Sequence, residues 1–121
     1  MPAARSGGAG PYRRGAAFER HVQQVLESRG WNTLRAAGSK GPFDIVAWPG
    51  NTATFTKAPG VVFIQCKRNG QLLPSERDKM TRAIYGIQVY LYVVVPDGGG
   101  LAVRNVTAWE HRIWRHFEEV L

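Results

Sequence analysis

Three polar residues stand at the ends of two apolar stretches of the sequence, where they could act together on a substrate. Asp44 opens the segment FDIVAW, and Gln65 and Lys67 alternate with apolar residues at the end of VVFIQCK. Because strand side chains alternate between faces, Gln65 and Lys67 share a face on which Asp44 can converge. Carboxylate and amide oxygens suit Mg²⁺, and a lysine can orient a water or stabilise charge on a phosphate. The three residues together predict a metal-dependent hydrolytic site.

The elements that must position these residues follow from the spacing of apolar side chains. One helix is predicted from Gly15 to Arg29, and a second begins at Ser75 as its N-cap and ends near residue 87. Strands are predicted over residues 31–38, 43–48, 61–67, 88–95 and 101–106. Residues 107–121 predict a closing helix, although HRIWRHF within them is also typical of an edge strand. The order αβββαβ with a C-terminal strand and helix indicates an α/β fold, a single domain with a mixed sheet flanked by helices.

Positive charge is distributed unevenly along the chain. There are 16 Lys and Arg residues against nine Asp and Glu, and the excess of +7 lies entirely within residues 1–68. Arginine predominates among the basic residues, and its planar guanidinium matches phosphate oxygens. Residues 1–14 are predicted to be a flexible basic arm, and residues 15–121 a single domain. A polyanion, most simply nucleic acid, is the predicted partner, with charge kept for solubility alone as the alternative.

Several classes of protein are disfavoured by the same composition. A single cysteine cannot form an intramolecular disulfide, which argues against a small secreted scaffold. The longest apolar run, Val89 to Val95, is far short of the ~20 residues of a transmembrane helix. The first residues lack the apolar region of a secretory signal, so we expect a cytoplasmic protein without membrane attachment. Gly38 and Gly41 do not complete a phosphate-binding loop motif, so no nucleotide cofactor is expected.

Three blocks of the sequence resemble a known family of nucleases. YRRGAAFER, LRAAGSKGPFD and FIQCK occur in the order and at the spacing typical of the archaeal-type Holliday junction resolvases, which belong to the PD-(D/E)xK nuclease superfamily. The resemblance covers Tyr12 to Lys67 well and the remainder weakly. It implies a restriction-endonuclease-like core and an endonuclease that uses Mg²⁺, with Mn²⁺ as a substitute. The implied substrate is branched double-stranded DNA, a four-way junction that a homodimer resolves by phosphodiester hydrolysis.

The resemblance also implies roles for individual residues. Glu19 matches the helical acid that supports the metal site, Asp44 the metal-binding aspartate, Gln65 the second acidic position and Lys67 the catalytic lysine. The expected metal ligands are Asp44, Gln65 and the backbone carbonyl of Cys66, with Glu19 as a further candidate. The residues expected to contact DNA are Arg13, Arg14, Arg20, Arg35, Ser39, Lys40 and Arg68.

The main departure from the family pattern is Gln65, which stands where the family usually has Glu. An amide oxygen can bind Mg²⁺, but it lacks the negative charge that helps to set metal affinity. Two alternatives to junction resolution therefore stay open. One is a nuclease of the same superfamily that acts on other DNA by restriction or nicking, and the other is a DNA-binding module that is catalytically inactive.

Overall fold

The computed structural model describes residues 3–36, 42–50, 60–84, 86, 89–106 and 114–121, apart from the side chains of residues 3–14, 118 and 119. A helix and three strands are followed by a second helix, further strands and a short C-terminal helix. In chain order the elements are α1 (Ala3–Ser28), β1 (Trp31–Arg35), β2 (Ile45–Pro49), β3 (Val62–Cys66), α2 (Pro74–Ala83), β4 (Tyr90–Asp97), β5 (Gly100–Asn105), β6 (Arg115–His116) and α3 (Phe117–Val120).

Within the described residues, the strands form one mixed sheet in which they lie side by side in sequence order. Neighbouring strands are antiparallel except for β3 and β4, which are parallel. A parallel pair needs a crossover connection, and α2 lies in the connection that joins β3 to β4. The predicted α/β fold with a mixed sheet flanked by helices is confirmed.

Strand β4 is buried on both faces, which places the core on either side of the sheet. Tyr92 and Val94 face the first core cluster, which α1 and α3 also contact. Leu91 and Val93 alternate with them and face the second core cluster, to which α2 contributes Met80. A strand buried on both faces is a continuous apolar run, which explains the uninterrupted sequence of this segment. In the described part of the chain, no helix is long and apolar enough to cross a membrane.

Helix α1 begins at Ala3, well before the predicted start at Gly15. The prediction relied on the glycines and Pro11 as helix breakers, but such residues cost only about 1 to 3 kcal/mol each. The remainder of the helix is anchored by Val22 and Leu26 in the first core cluster. The packing of these residues can offset the cost of the glycines and Pro11. The backbone of the predicted flexible arm is therefore helical from Ala3 onward, and its separation from the domain stays a prediction. The helix ends as expected, because Gly30 follows it with a φ of 92°.

Helix α2 begins at Pro74 with Leu73 as its N-cap, so the prediction of Ser75 as N-cap is wrong. Proline is favoured at the first helical position because its missing N–H needs no partner there. The carboxylate of Glu76 accepts the backbone N–H of Leu73 at 3.0 Å and fixes this start. The helix ends at Ala83, earlier than predicted.

The predicted closing helix is wrong for half of its described length. Residues 107–113 lie outside the described residues, and Arg115–His116 form the edge strand β6, paired with β5. The edge-strand alternative is therefore confirmed at these two positions. Among the described residues of this segment, helical structure is confined to Phe117–Val120, and Phe117 and Leu121 lie in the first core cluster.

Candidate active site

Asp44 lies directly before β2 and is buried, with 2% of its surface exposed. Its backbone N–H donates to the carbonyl of Ile64 at 2.9 Å, and its carbonyl accepts the N–H of Ala36 at 2.8 Å. These bonds hold it between β1 and β3. Its carboxylate oxygen Oδ2 accepts the backbone N–H of Cys66 at 2.8 Å. The carboxylate is therefore directed at the end of β3, where the other two predicted residues lie.

Gln65 and Lys67 lie at the same end of the sheet as Asp44. The antiparallel register pairs Ile45 with Ile64, so the next position outward sets Asp44 opposite Gln65. Directly opposed residues of an antiparallel pair project from the same face. Lys67 follows two residues later, and its backbone N–H donates to the carbonyl of Val94 at 2.9 Å. The backbone geometry thus brings the predicted carboxylate, amide and ammonium groups to one corner of the sheet.

Lys67 has a partner that the sequence analysis missed. Its Nζ lies 2.6 Å from Oε2 of Glu76, on the first turn of α2. Burial raises the pKa of Glu76, but hydrogen bonds from Lys67 and from the Leu73 N–H, with the Lys67 charge, outweigh it and leave this pKa below its ordinary value. The sequence signal was available in Pro74 followed two residues later by Glu, a common start for a helix.

Glu19 is the second buried acid of this region, with 6% of its surface exposed. Its Oε1 lies 3.0 Å from Nη1 of Arg35, so the ion pair joins α1 to the end of β1. Glu19 therefore points toward the sheet, as its position beside Phe18 and Val22 predicts. Arg35 was expected near DNA phosphates; in this structure it pairs with Glu19, and its contact with DNA stays a prediction.

The Cys66 side chain lies near enough to both of these carboxylates to be affected by their charges. It packs against the first core cluster, on the face predicted for it. Burial raises the pKa of the thiol well above its ordinary value, and the negative charges of Asp44 and Glu19 raise it further. Both acids act on one thiol, so Glu19 on α1 and Asp44 before β2 converge on the end of β3.

The donor set matches the chemistry of a hard divalent cation. Asp44 and Glu19 bring carboxylate oxygens and Gln65 an amide oxygen, which are the ligand types that Mg²⁺ prefers. Among the described residues, no group of three or more His, Cys, Asp and Glu side chains could hold a metal ion. Gln65 supplies a neutral amide oxygen where a carboxylate would add a negative charge.

The remaining residues predicted to contact DNA fall into two groups. Arg20 on α1 and Arg68 in the turn after β3 are exposed. Both are therefore accessible to a polyanion near the corner that holds Asp44. The side chains of Arg13 and Arg14, and both Ser39 and Lys40 entirely, lie outside the described residues.

The fold and the corner together define a class of protein, the α/β nucleases that carry a carboxylate and a lysine at adjoining strand ends. Within that class, the sequence model of the family described as archaeal Holliday junction resolvase (hjc) matches residues 11–70, about half of the chain. This match confirms the resemblance found in the sequence and supports a junction-resolving nuclease. The matched segment contains Glu19, Asp44, Gln65 and Lys67.

Structural comparison extends the similarity beyond that segment. The fold is similar to that of Hjc from Archaeoglobus fulgidus, a Holliday junction resolvase from an archaeal hyperthermophile, with a TM-score of 0.55 and 21% sequence identity. The superposition covers 88% of this chain and 93% of the archaeal one. None of the curated proteins matches the chain. At this identity the comparison shows a shared fold over nearly the whole length of both proteins.

Proposed function

We propose that this chain is a Mg²⁺-dependent endonuclease that resolves four-way DNA junctions by hydrolysing phosphodiester bonds. The observation that carries the proposal is the corner where the Asp44 carboxylate is bound to the Cys66 N–H at 2.8 Å, next to Gln65 and Lys67. This corner lies inside the segment matched by the resolvase family. Branched DNA is the substrate class that the family implies.

Each residue of the corner has a distinct role in the proposed reaction. Asp44, Gln65 and the Cys66 carbonyl, with Glu19 as a further ligand, would hold Mg²⁺, for which Mn²⁺ could substitute. A bound divalent cation supplies Lewis acidity and lowers the pKa of a coordinated water. Lys67 would orient the attacking water and offset the negative charge that develops on the phosphate. Arg20 and Arg68, both exposed, would bind flanking phosphates.

The symmetry of the substrate supports a homodimer as the active species. A four-way junction presents two strands that must be cut at equivalent positions. A two-fold dimer places two copies of one site in that relation, because both subunits use the same surface for pairing. The proposal therefore includes two corners per assembly, each with its own Asp44.

The test is cleavage of a synthetic four-way junction beside a linear duplex of matched sequence, each with Mg²⁺, with Mn²⁺ or with EDTA. Paired symmetric nicks on the junction alone, dependent on the metal, are the expected result. Cutting of the duplex at a similar rate would favour restriction or nicking instead. Binding without metal-dependent cutting would favour an inactive DNA-binding module. The amide at Gln65 is the feature of the site that favours this alternative.

Two variants assign the activity to the corner. Asp44→Asn removes the charge of the buried ligand, and Lys67→Ala removes the ammonium. Each should lower the cleavage rate by at least about 100-fold while leaving junction binding in EDTA largely unchanged. Asp78→Asn, an exposed acid on α2, is the matched control and should cleave normally. Near wild-type cleavage by either site variant would refute the site assignment.

A further inference from the structure

Two arginines, Arg77 on α2 and Arg104 on β5, have buried guanidinium nitrogens on the side of the sheet that α2 covers. Arg77 follows Glu76 on the first turn of α2 and precedes Met80, a buried member of the second core cluster, by one turn. Arg104 lies on β5 next to Val103, a member of the first core cluster, and two residues after Ala102, a member of the second. Strand alternation therefore directs Arg104 to the same face of the sheet that α2 covers.

The sheet register places this pair beside the candidate active site. Gln65 is opposite Val93 on β4, and Val93 is opposite Arg104 on β5. These three residues form one row on one face, so Arg104 is two strand spacings from Gln65, about 10 Å. The first turn of α2 lies close to the end of β3, since Glu76 contacts Lys67. The next residue, Arg77, lies near enough to Arg104 for its positive charge to lower the pKa of that group.

Neither guanidinium has an anionic partner among the described residues. The Nε atoms of Arg77 and Arg104 are both buried without a hydrogen-bond acceptor. Burial lowers the pKa of Arg104, and the charge of nearby Arg77 lowers it further. Buried polar groups are nearly always hydrogen-bonded, and like charges in contact repel, so the pair calls for an anion from outside this part of the chain.

Trp114 packs against one of the two arginines. The register of β5 with β6 pairs Val103 with Arg115, so Trp114 is the next position opposite Arg104. The guanidinium carbon of Arg104 lies 4.5 Å from the centroid of the Trp114 ring, a cation–π contact. Trp114 is 39% exposed and Arg104 is partly exposed, so the stacked pair reaches the surface of the protein.

We propose that Arg77 and Arg104 form a phosphate-binding site, supported by Trp114, on the side of the sheet that α2 covers. Guanidinium groups bind phosphate through paired N–H donors, and two of them match a doubly coordinated phosphate. The ligand is a backbone phosphate of the bound DNA, which rests on the proposed function, or free phosphate. A site about 10 Å from Gln65 would hold a phosphate near the one that is cut, on the same molecule of DNA.

The experiment measures junction binding in EDTA over a series of salt concentrations for Arg77→Gln, Arg104→Gln and the control Arg82→Gln. Arg82 is an exposed residue of the same helix. Each of the first two variants should weaken binding by about 5- to 10-fold and lower the slope of affinity against salt by about one, because one phosphate contact is lost. The control should change neither. Thermal unfolding of each variant reports whether the fold is retained.

A second arm titrates the protein with inorganic phosphate, against chloride at equal ionic strength, and follows the arginine Nε–H signals by NMR. The Nε–H signals of Arg77 and Arg104 are identified by their loss in Arg77→Gln and Arg104→Gln. In the wild-type protein, both signals should shift as phosphate is added. Shifts without an effect on the junction support the site with free phosphate as its ligand. If both signals shift but the protein does not bind junctions, the phosphate site is supported and the proposed function is refuted. Unshifted signals with unchanged salt slopes overturn the proposal.

Discussion

The ammonium of Lys67 and the carboxylate of Glu76 are joined at 2.6 Å, and the second oxygen of that carboxylate accepts the Leu73 N–H at 3.0 Å. The Glu76 side chain therefore caps the start of α2 and also contacts the proposed catalytic lysine. The consequence is that the start of α2 and the end of β3 are tied together. A change in the charge of Glu76 acts on both.

Replacing Glu76 by Gln should lower stability in a pH-dependent manner. The pKa of this carboxyl is below its ordinary value in the folded chain, so its contribution is complete above the ordinary pKa and lost as pH falls through the folded one. We expect Glu76→Gln to lose up to about 1 kcal/mol of unfolding free energy at pH 7, since the pair is partly exposed. The difference should shrink at pH 3, measured by urea unfolding at both pH values.

The matched control for this experiment is Asp78→Asn, which removes an exposed acid from the same helix. It should leave the unfolding free energy nearly unchanged at both pH values. A stability loss in Glu76→Gln that is equal at pH 7 and pH 3 would contradict the role of its charge. The loss would then come from side-chain packing alone.

Replacing Arg35 by Gln should destabilise the fold, because Glu19 would lose a guanidinium at 3.0 Å while it stays buried. A buried charge that loses its ion-pair partner is destabilising, and we expect a loss of about 1 to 3 kcal/mol of unfolding free energy. The double variant Glu19→Gln/Arg35→Gln should recover part of the lost unfolding free energy, because neither charge of the pair then remains. Additive losses in the double-mutant cycle would show that the pair makes no net contribution. The exposed Arg20→Gln is the control for loss of positive charge.

The Cys66 thiol should react slowly with alkylating reagents in the folded chain. Burial and the charges of Asp44 and Glu19 raise its pKa, and the thiolate is the reactive form. At pH 8 we expect iodoacetamide to label the urea-unfolded chain at least about ten times faster than the native one. Glu19→Gln should speed native labelling, because one of the charges that oppose the thiolate is gone. Equal rates in native and unfolded chains would contradict the burial of the thiol.

The parts of the site that the sequence could predict are those set by strand periodicity. Asp44, Gln65 and Lys67 stand at the ends of apolar runs, and alternation alone assigns them a common face. The partner of Lys67 could not be found this way, because Glu76 reaches it only through the position of α2 over the sheet. Arg77 and Arg104 are 27 positions apart in the sequence. Their proximity depends on sheet register, which no local pattern encodes.

Element ends and the start of α1 were harder to predict for a related reason. Glycine and proline weigh heavily in local propensity, but a helix anchored by Val22 and Leu26 tolerates them further along its length. At the other end of the chain, the sequence 111–117 carried signals for both helix and strand. Pairing with β5 decided in favour of strand at Arg115 and His116. In both places tertiary contacts outweighed the local preference.

Replacing Gln65 by Glu should make the protein more dependent on its metal. The position faces Asp44 across the β2 and β3 register, so a second carboxylate would oppose a buried one. Without metal the two like charges repel, and we expect the variant to lose about 1 to 2 kcal/mol of unfolding free energy in EDTA at pH 7. Added Mg²⁺ should restore the loss, because the cation binds both charges.

The same substitution should lower the Mg²⁺ concentration at half-maximal junction cleavage by about tenfold, because ligand charge raises affinity. Gln71→Glu is the control, since it adds the same charge at an exposed position in the loop after β3. It should alter neither the stability in EDTA nor the metal requirement. A Gln65→Glu variant that is unaffected by EDTA and cleaves with unchanged metal dependence would place Gln65 outside the metal site. Asp44 and Glu19 would then be left as its only acidic ligands among the residues proposed here.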